Sequence, residues 1–222
     1  MRGLYAIADV GTLRARNVDV IAFAGAVLLA RPCALQLRAK DLPAREILAL
    51  LRALRPMCKY AGVPLVANDR VDVAALAGCD YVHIGQHDVA YEVVHRIAPT
   101  MRVGVSTHDA HQLARTLTYA PAYVAYGPVF ETRSKVAPDP VVGLAGLRAA
   151  RGVARDAGVP LVAIGGITLE RAREVGLSAD AGAVIGALLP SHGAVDLAEV
   201  TSRARQLHAL LCGDKALVEA TG

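Results

Sequence analysis

Tryptophan is absent from the 222-residue chain, phenylalanine occurs twice, and aromatic residues make up 4% of it. A nucleic-acid surface that stacks bases on aromatics between cations therefore has little to be built from. The net charge of +4 is not gathered into any Lys/Arg run. That again disfavours nucleic acid and leaves anionic small molecules as the natural partners of a mild basic excess. Cys33, Cys58, Cys79 and Cys212 show no C-x-x-C and no metal-ligand spacing. In apolar surroundings they read as reduced core residues of a cytoplasmic protein. The longest apolar stretch, Val20–Ala30, is too short to span a bilayer and too far in to be a signal-peptide core, so no membrane partner is expected. No Gly-x-Gly-x-x-Gly follows the first apolar run, and no Gly-x-x-x-x-Gly-Lys-Ser/Thr occurs. Dinucleotide and P-loop sites are thereby disfavoured. Nor does any His/Asp/Glu spacing suggest zinc, or any Ser/His pair a hydrolytic triad.

What the chain does have is apolar residues, 54% of the total, enough for one sizeable core. They fall into short runs at Leu4–Ala8, Ala34–Leu37, Pro64–Ala67, Tyr81–Ile84, Arg102–Val105, Ala122–Tyr126, Leu161–Ile164 and Ala183–Ile185. Each reads as a parallel strand covered on both faces. Between them lie stretches of helical spacing, among them Pro43–Tyr60, Ala110–Tyr119, Leu144–Ala157 and Leu169–Val175, with a last one at Val195–Leu211. Asp41 with Pro43, Asp109, and Thr168 with Glu170 read as helix starts, and Gly62, Gly158 and Gly176 as stops. Strict alternation without a second domain favours a (β/α)8 TIM barrel over an open sheet. The expected layout is one catalytic barrel over residues 1–212 with a short tail over 213–222. A homo-oligomer is compatible with it.

In a barrel the C-terminal ends of all strands meet at one face, where active sites are built. The run ends carry Gln36, Arg38 and Lys40, then Asn68 and Asp69, then Asp88, then Ser106, and later Thr132, Ser134, Lys135, Gly165-Gly166, Ile185 and Gly186. Gln36, Arg38 and Lys40 alternate with Leu37 and Ala39, so an extended segment puts all three on one side. Facing the lumen, two cations need anionic partners, and ligand phosphate is one; the alternative is a surface loop with chance charges. Asp69 and Asp88, on consecutive strand ends, could share one hard divalent cation. They could equally be helix N-caps. Thr132, Ser134 and Lys135 form a hydroxyl- and ammonium-bearing loop suited to phosphate. The glycines after the seventh and eighth runs fit the usual barrel phosphate site, gripped by backbone N–H groups. His87 and His108 border this face. His83, His95, His192 and His208 read as packing or surface residues, and Tyr5 as core.

The segments LQLRAKD, NDRVDVAALAGCDYVHIGQHD, GVSTHD, YGPVFETRSK and VAIGGIT, in this order, closely resemble the thiamine phosphate synthase family over roughly residues 4 to 190. The resemblance implies a Mg²⁺-dependent barrel enzyme joining hydroxymethylpyrimidine diphosphate to a thiazole phosphate. It assigns Gln36, Arg38, Lys40, Asn68, Ser106 and Lys135 to the pyrimidine diphosphate, Asp69 and Asp88 to Mg²⁺, and Thr132, Ser134, Gly166, Ile185 and Gly186 to the thiazole phosphate. Arg38, Lys40 and Lys135 would be catalytic, stabilising the departing diphosphate. Arg133 in FETRSK, and Gly186 where the family often carries serine, depart from the pattern. Two other readings stay open, a metal-free thiazole tautomerase of the same superfamily and a non-catalytic phospho-ligand-binding barrel.

Overall fold

Eight short apolar runs bury both their faces only if helices cover one side and the other strands enclose the second. The computed structural model, which describes residues 1–132 and 139–213, closes them into a parallel barrel in sequence order. The first half runs β1 (Gly3–Asp9), α1 (Val10–Ala15), α2 (Val20–Leu28), β2 (Ala34–Arg38), α3 (Ala44–Ala61), β3 (Leu65–Asn68), α4 (Val71–Ala77), β4 (Tyr81–Ile84) and α5 (Tyr91–Ile97). The second half runs β5 (Arg102–Thr107), α6 (Ala110–Leu117), β6 (Tyr123–Tyr126), α7 (Gly143–Asp156), β7 (Leu161–Ile164), α8 (Leu169–Ser178), β8 (Ala181–Val184), a 3-10 turn (Gly186–Leu188) and α9 (Leu197–Cys212). β8 pairs back onto β1 from Gly3↔Ala181 to Ala6↔Val184, so no strand edge is left open. Of the expected tail over 213–222, only Gly213 is among the described residues.

The pleat sorts the side chains. Leu4, Ala6 and Ala8 point outward into the apolar layer beneath the helices, while Tyr5 and Ile7 point into the lumen. Lumen positions are mostly small or β-branched, among them Ala34, Val66, Ala125, Val162, Ala181 and Ala183, and the space they leave is filled by Tyr5 and Tyr123. Gly104 is part of that fit: a Cβ there would lie 2.0 Å from the Tyr123 ring. At the N-terminal face Asp80 accepts from the Leu65 N–H (2.9 Å) and Arg55 (2.7 Å), and Asp180 from the Leu161 N–H (2.8 Å), tying strand starts together.

Three expectations need correction. Gly176 does not stop a helix. α8 continues to Ser178, and Gly176 is glycine because the Leu211 carbonyl of α9 would sit 2.5 Å from any Cβ. Asp41 is not a cap; Pro43 occupies the N-cap of α3 with no side-chain bond. The last strand begins at Ala181 rather than Ala183, its small residues hiding it from a reading based on bulky apolar runs. Asp109 does cap α6, accepting from the Gln112 N–H at 2.7 Å.

Candidate active site

The alternating Gln36, Arg38 and Lys40 lead out of β2 toward the C-terminal mouth. Gln36 is buried and donates from Nε2 to Asn68 Oδ1 on the neighbouring strand end (3.2 Å). Arg38 finds a protein partner that the sequence reading did not single out. Its guanidinium donates to Asp9 Oδ2, at the end of β1. Asp9 is held in turn by the Thr12 N–H (2.8 Å) and hydroxyl (2.7 Å), which makes it the N-cap of α1. Burial pushes the Asp9 carboxyl up, but the hydrogen bonds from Thr12 and Arg38 outweigh it and hold the group below the usual carboxylate range. Arg38 is therefore anchored on its Asp9 side and keeps its other N–H groups for an incoming anion. The signal was present: Asp9 ends its strand just as Arg38 and Asn68 end theirs.

Asp69 has φ 62°, the left-handed region that few non-glycine residues enter. Its N–H donates to the His83 carbonyl (2.8 Å), and the turn swings its carboxyl toward Asp88. Asp88 folds back over its own turn and accepts from the Gly85 N–H at 2.7 Å. Neither aspartate caps a helix, because α4 starts behind Arg70 and α5 behind Ala90. The capping alternative is thereby removed for both. Burial, then the Asp88 charge and a hydrogen bond shared with Asp88, push Asp69 up to about 6, with Lys40 and Arg38 opposing. Lys40 Nζ lies 4.0 Å from Asp69 Oδ2. Two carboxylates forced together beside cations form a donor set that fits one hard divalent cation. Among the described residues no group of three or more His, Cys, Asp or Glu gathers, so remaining ligand positions there would fall to water and substrate oxygens, the habit of Mg²⁺.

Ser106, near the end of β5, completes this half of the mouth. Its hydroxyl is 2.8 Å from His83 Nε2, and its carbonyl accepts from Gln86 Nε2 at 2.6 Å. His83 is not simple packing. It stacks on Tyr123, and burial, against an opposing pull from Asp88, pushes its pKa down to about 4. Tyr5 is lumen core, as expected. His87 is exposed on the turn after β4, while His108 bonds the Gly127 carbonyl at 2.7 Å.

The other half of the mouth lies over β6 to β8. Thr132 follows Phe130 in the loop after β6; Ser134 and Lys135 lie outside the described residues. Gly166 has φ 64°, and a Cβ there would come within 2.4 Å of the Glu131 carbonyl. Phe130 is bound to the turn after β7 through its N–H to the Gly165 carbonyl (3.1 Å), and Arg171 lies over its ring while donating to the Gly166 carbonyl (2.9 Å). Ile185 and Gly186 open the short 3-10 turn after β8, and around Gly186 a Cβ would meet nothing within 4 Å. Gln36, Arg38, Lys40, Asn68, Asp69, Asp88 and Ser106 thus gather on one side, and Thr132, Gly166, Ile185 and Gly186 stand across from them. A depression of about 770 Å³ lined by Arg148, Arg151 and Arg155 opens at the opposite, N-terminal face and takes no part in this arrangement.

Fold and mouth together define the class: a (β/α)8-barrel enzyme with its polar groups at the C-terminal ends of the strands. A family model described as thiamine monophosphate synthase matches residues 4–188. The thiamine-phosphate synthase of Chloroflexus aurantiacus is 35% identical over 94% of this chain and 92% of its own. That of Koribacter versatilis is 47% identical over 70% and 72%. Among solved structures, thiamine phosphate pyrophosphorylase from Pyrococcus furiosus superposes with TM-score 0.81 at 28% identity, covering 99% of this chain and 97% of that one. The chain belongs to the thiamine monophosphate synthase family. It is a family of transferases in thiamine biosynthesis, and neither the tautomerase nor the non-catalytic alternative is favoured.

Proposed function

We propose that this chain works as a thiamine-phosphate synthase, condensing 4-amino-2-methyl-5-hydroxymethylpyrimidine diphosphate with a thiazole phosphate to give thiamine phosphate and pyrophosphate. The observation that carries the reading is the paired carboxylates Asp69 and Asp88 with Lys40 and Arg38 beside them, facing glycine turns across the mouth. One half suits a metal-complexed diphosphate and the other a monophosphate.

Asp69 and Asp88 would hold Mg²⁺, which when bound supplies positive charge to the diphosphate oxygens as they leave. Gln36, Asn68 and Ser106 orient the pyrimidine diphosphate. Arg38, pre-set by Asp9, and Lys40 stabilise the charge that builds on the leaving diphosphate, with Lys135 assigned the same role from the sequence. The turns at Gly166 and Gly186 offer backbone N–H groups to the thiazole phosphate, with Ile185, Thr132 and Ser134 beside them. The carbon that loses diphosphate is captured by the thiazole nitrogen, so the protein supplies orientation and charge rather than a nucleophile. The catalytic unit is assigned to residues 1–212.

No described helix is long and apolar enough to cross a membrane. Cys33, Cys58 and Cys79 are free thiols, and burial pushes those of Cys58 and Cys79 up to about 12. Such inert thiols support a reducing, cytoplasmic setting. The test is a pyrophosphate-release assay with both substrates, with and without Mg²⁺. Release that needs both substrates and stops with EDTA is expected; turnover indifferent to EDTA overturns the reading.

A further inference from the structure

Four side chains from four strands form a hydrogen-bonded chain along the barrel interior. Tyr5 Oη (β1) lies 2.8 Å from Tyr123 Oη (β6), which lies 2.9 Å from His83 Nδ1 (β4). His83 Nε2 then lies 2.8 Å from Ser106 Oγ (β5). Tyr5, Tyr123 and His83 are all buried, and only Ser106 is part-exposed, at the mouth.

Heavy-atom distances leave the proton order open, but the inner end of the chain decides it. Among the described residues Tyr5 Oη has no hydrogen-bond partner except Tyr123. Suppose Ser106 donated to His83, His83 to Tyr123 and Tyr123 to Tyr5. The Tyr5 proton would then be buried with no acceptor among the described residues, the costly case for a polar group. An imidazolium at His83 fails in the same way, because its Nδ1–H would send the Tyr123 proton toward Tyr5 as well. In the reverse order every inner proton has an acceptor. Tyr5 donates to Tyr123, Tyr123 to His83 Nδ1, and His83 Nε2–H to Ser106 Oγ. Ser106 is left with its own O–H and no inward acceptor for it, while the Gln86 bond holds its backbone.

We propose that His83 is a positioning residue that fixes Ser106 as a hydrogen-bond donor to the bound pyrimidine diphosphate, so the ligand atom lodged against Ser106 is one with a free lone pair. A ring nitrogen or a diphosphate oxygen meets that requirement; the exocyclic amino group, itself a donor, cannot take the Ser106 proton and reaches only the remaining lone pair of its Oγ. The proposal rests on the synthase reading above and narrows how one side of that site chooses its ligand.

The first test does not depend on activity. In the ligand-free protein carrying ¹⁵N-labelled histidine, the His83 ring should show a protonated Nε2 and a bare Nδ1. The opposite tautomer, or a doubly protonated ring, overturns the proposal. The second test is a double-mutant cycle. His83→Leu and Ser106→Ala should each lower kcat/KM for the pyrimidine diphosphate about tenfold, the scale of one hydrogen bond, and leave the KM for thiazole phosphate within about twofold. On the Ser106→Ala background His83→Leu should add less than about twofold. Full additivity, or equal damage to both substrates, would mean that His83 serves packing alone. If the wild-type chain made no thiamine phosphate, the synthase reading would fall, while the tautomer measurement would still judge the hydrogen-bond order.

Discussion

Asp9 offers the sharpest trial of how the proposed diphosphate side is built. Replacing it with Asn keeps the shape and an oxygen for the Thr12 N–H and hydroxyl, so the α1 cap survives. What is lost is the charge facing Arg38, with the Asp9 side chain 9% exposed and the Arg38 side chain 23% exposed. A hydrogen bond to a charged partner contributes about 1.5–3 kcal/mol, and a pair this shielded belongs inside that range rather than with weak surface bridges. We expect Asp9→Asn to cost about 2 kcal/mol, which for a chain of this size is a fall in Tm of roughly 4–8 °C. With its anchor gone the guanidinium must be ordered by the ligand, so kcat/KM for the pyrimidine diphosphate should fall about tenfold. Calorimetry and steady-state kinetics read both effects. The pH dependence gives an internal control. Asp9 is held below its ordinary pKa, so its stabilisation is present above the unfolded value and is lost as pH falls through the folded one. The gap between wild type and variant should therefore be full at pH 7 and close in strong acid. A Tm change under 1 °C at pH 7, or a gap that persists unchanged in acid, would refute the reasoning.

Asp88→Ala should lower turnover by orders of magnitude and leave the barrel folded, as circular dichroism and the pyrophosphate assay would show together; near-normal rates would remove the metal assignment. Because Asp69 is pushed up to about 6, protons would compete with the proposed cation for it, so Mg²⁺ affinity measured by calorimetry should hold at pH 8 and weaken steadily below about pH 6. Gly104→Ala pushes a methyl against the Tyr123 ring and should cost about 3 kcal/mol or more in urea unfolding. A neutral result there would mean that the lumen has slack the structure does not show.

The barrel was legible because each strand is a continuous apolar run that cannot be satisfied on an open edge, and because Asp109 and Gly62 mark helix ends by local chemistry alone. Gly176 misled for a reason local chemistry cannot supply: its role is set by Leu211, which is distant in sequence. The polar mouth was legible through the period-two pattern of Gln36, Arg38 and Lys40, which holds in any extended segment. Asp9 escaped because one acid before a helix looks like a cap, and it is one; its second partner, Arg38, comes from another strand. His83 escaped although its parity was readable, since Val82 and Ile84 face out and the residue between them must face in. What parity could not show is that Tyr5, Tyr123 and Ser106 would line up with it.

The left-handed backbone at Asp69 places that position under two separate demands. Geometry there is comfortable for Gly, Asn or Asp and strains nearly every other side chain. The metal role proposed for it narrows the three to the one that bears a negative charge. A descendant that no longer needed a cation would be free of the second demand and still bound by the first. Its substitutions would then collect at Asn and Gly, recording a lost metal without any disturbance of the barrel.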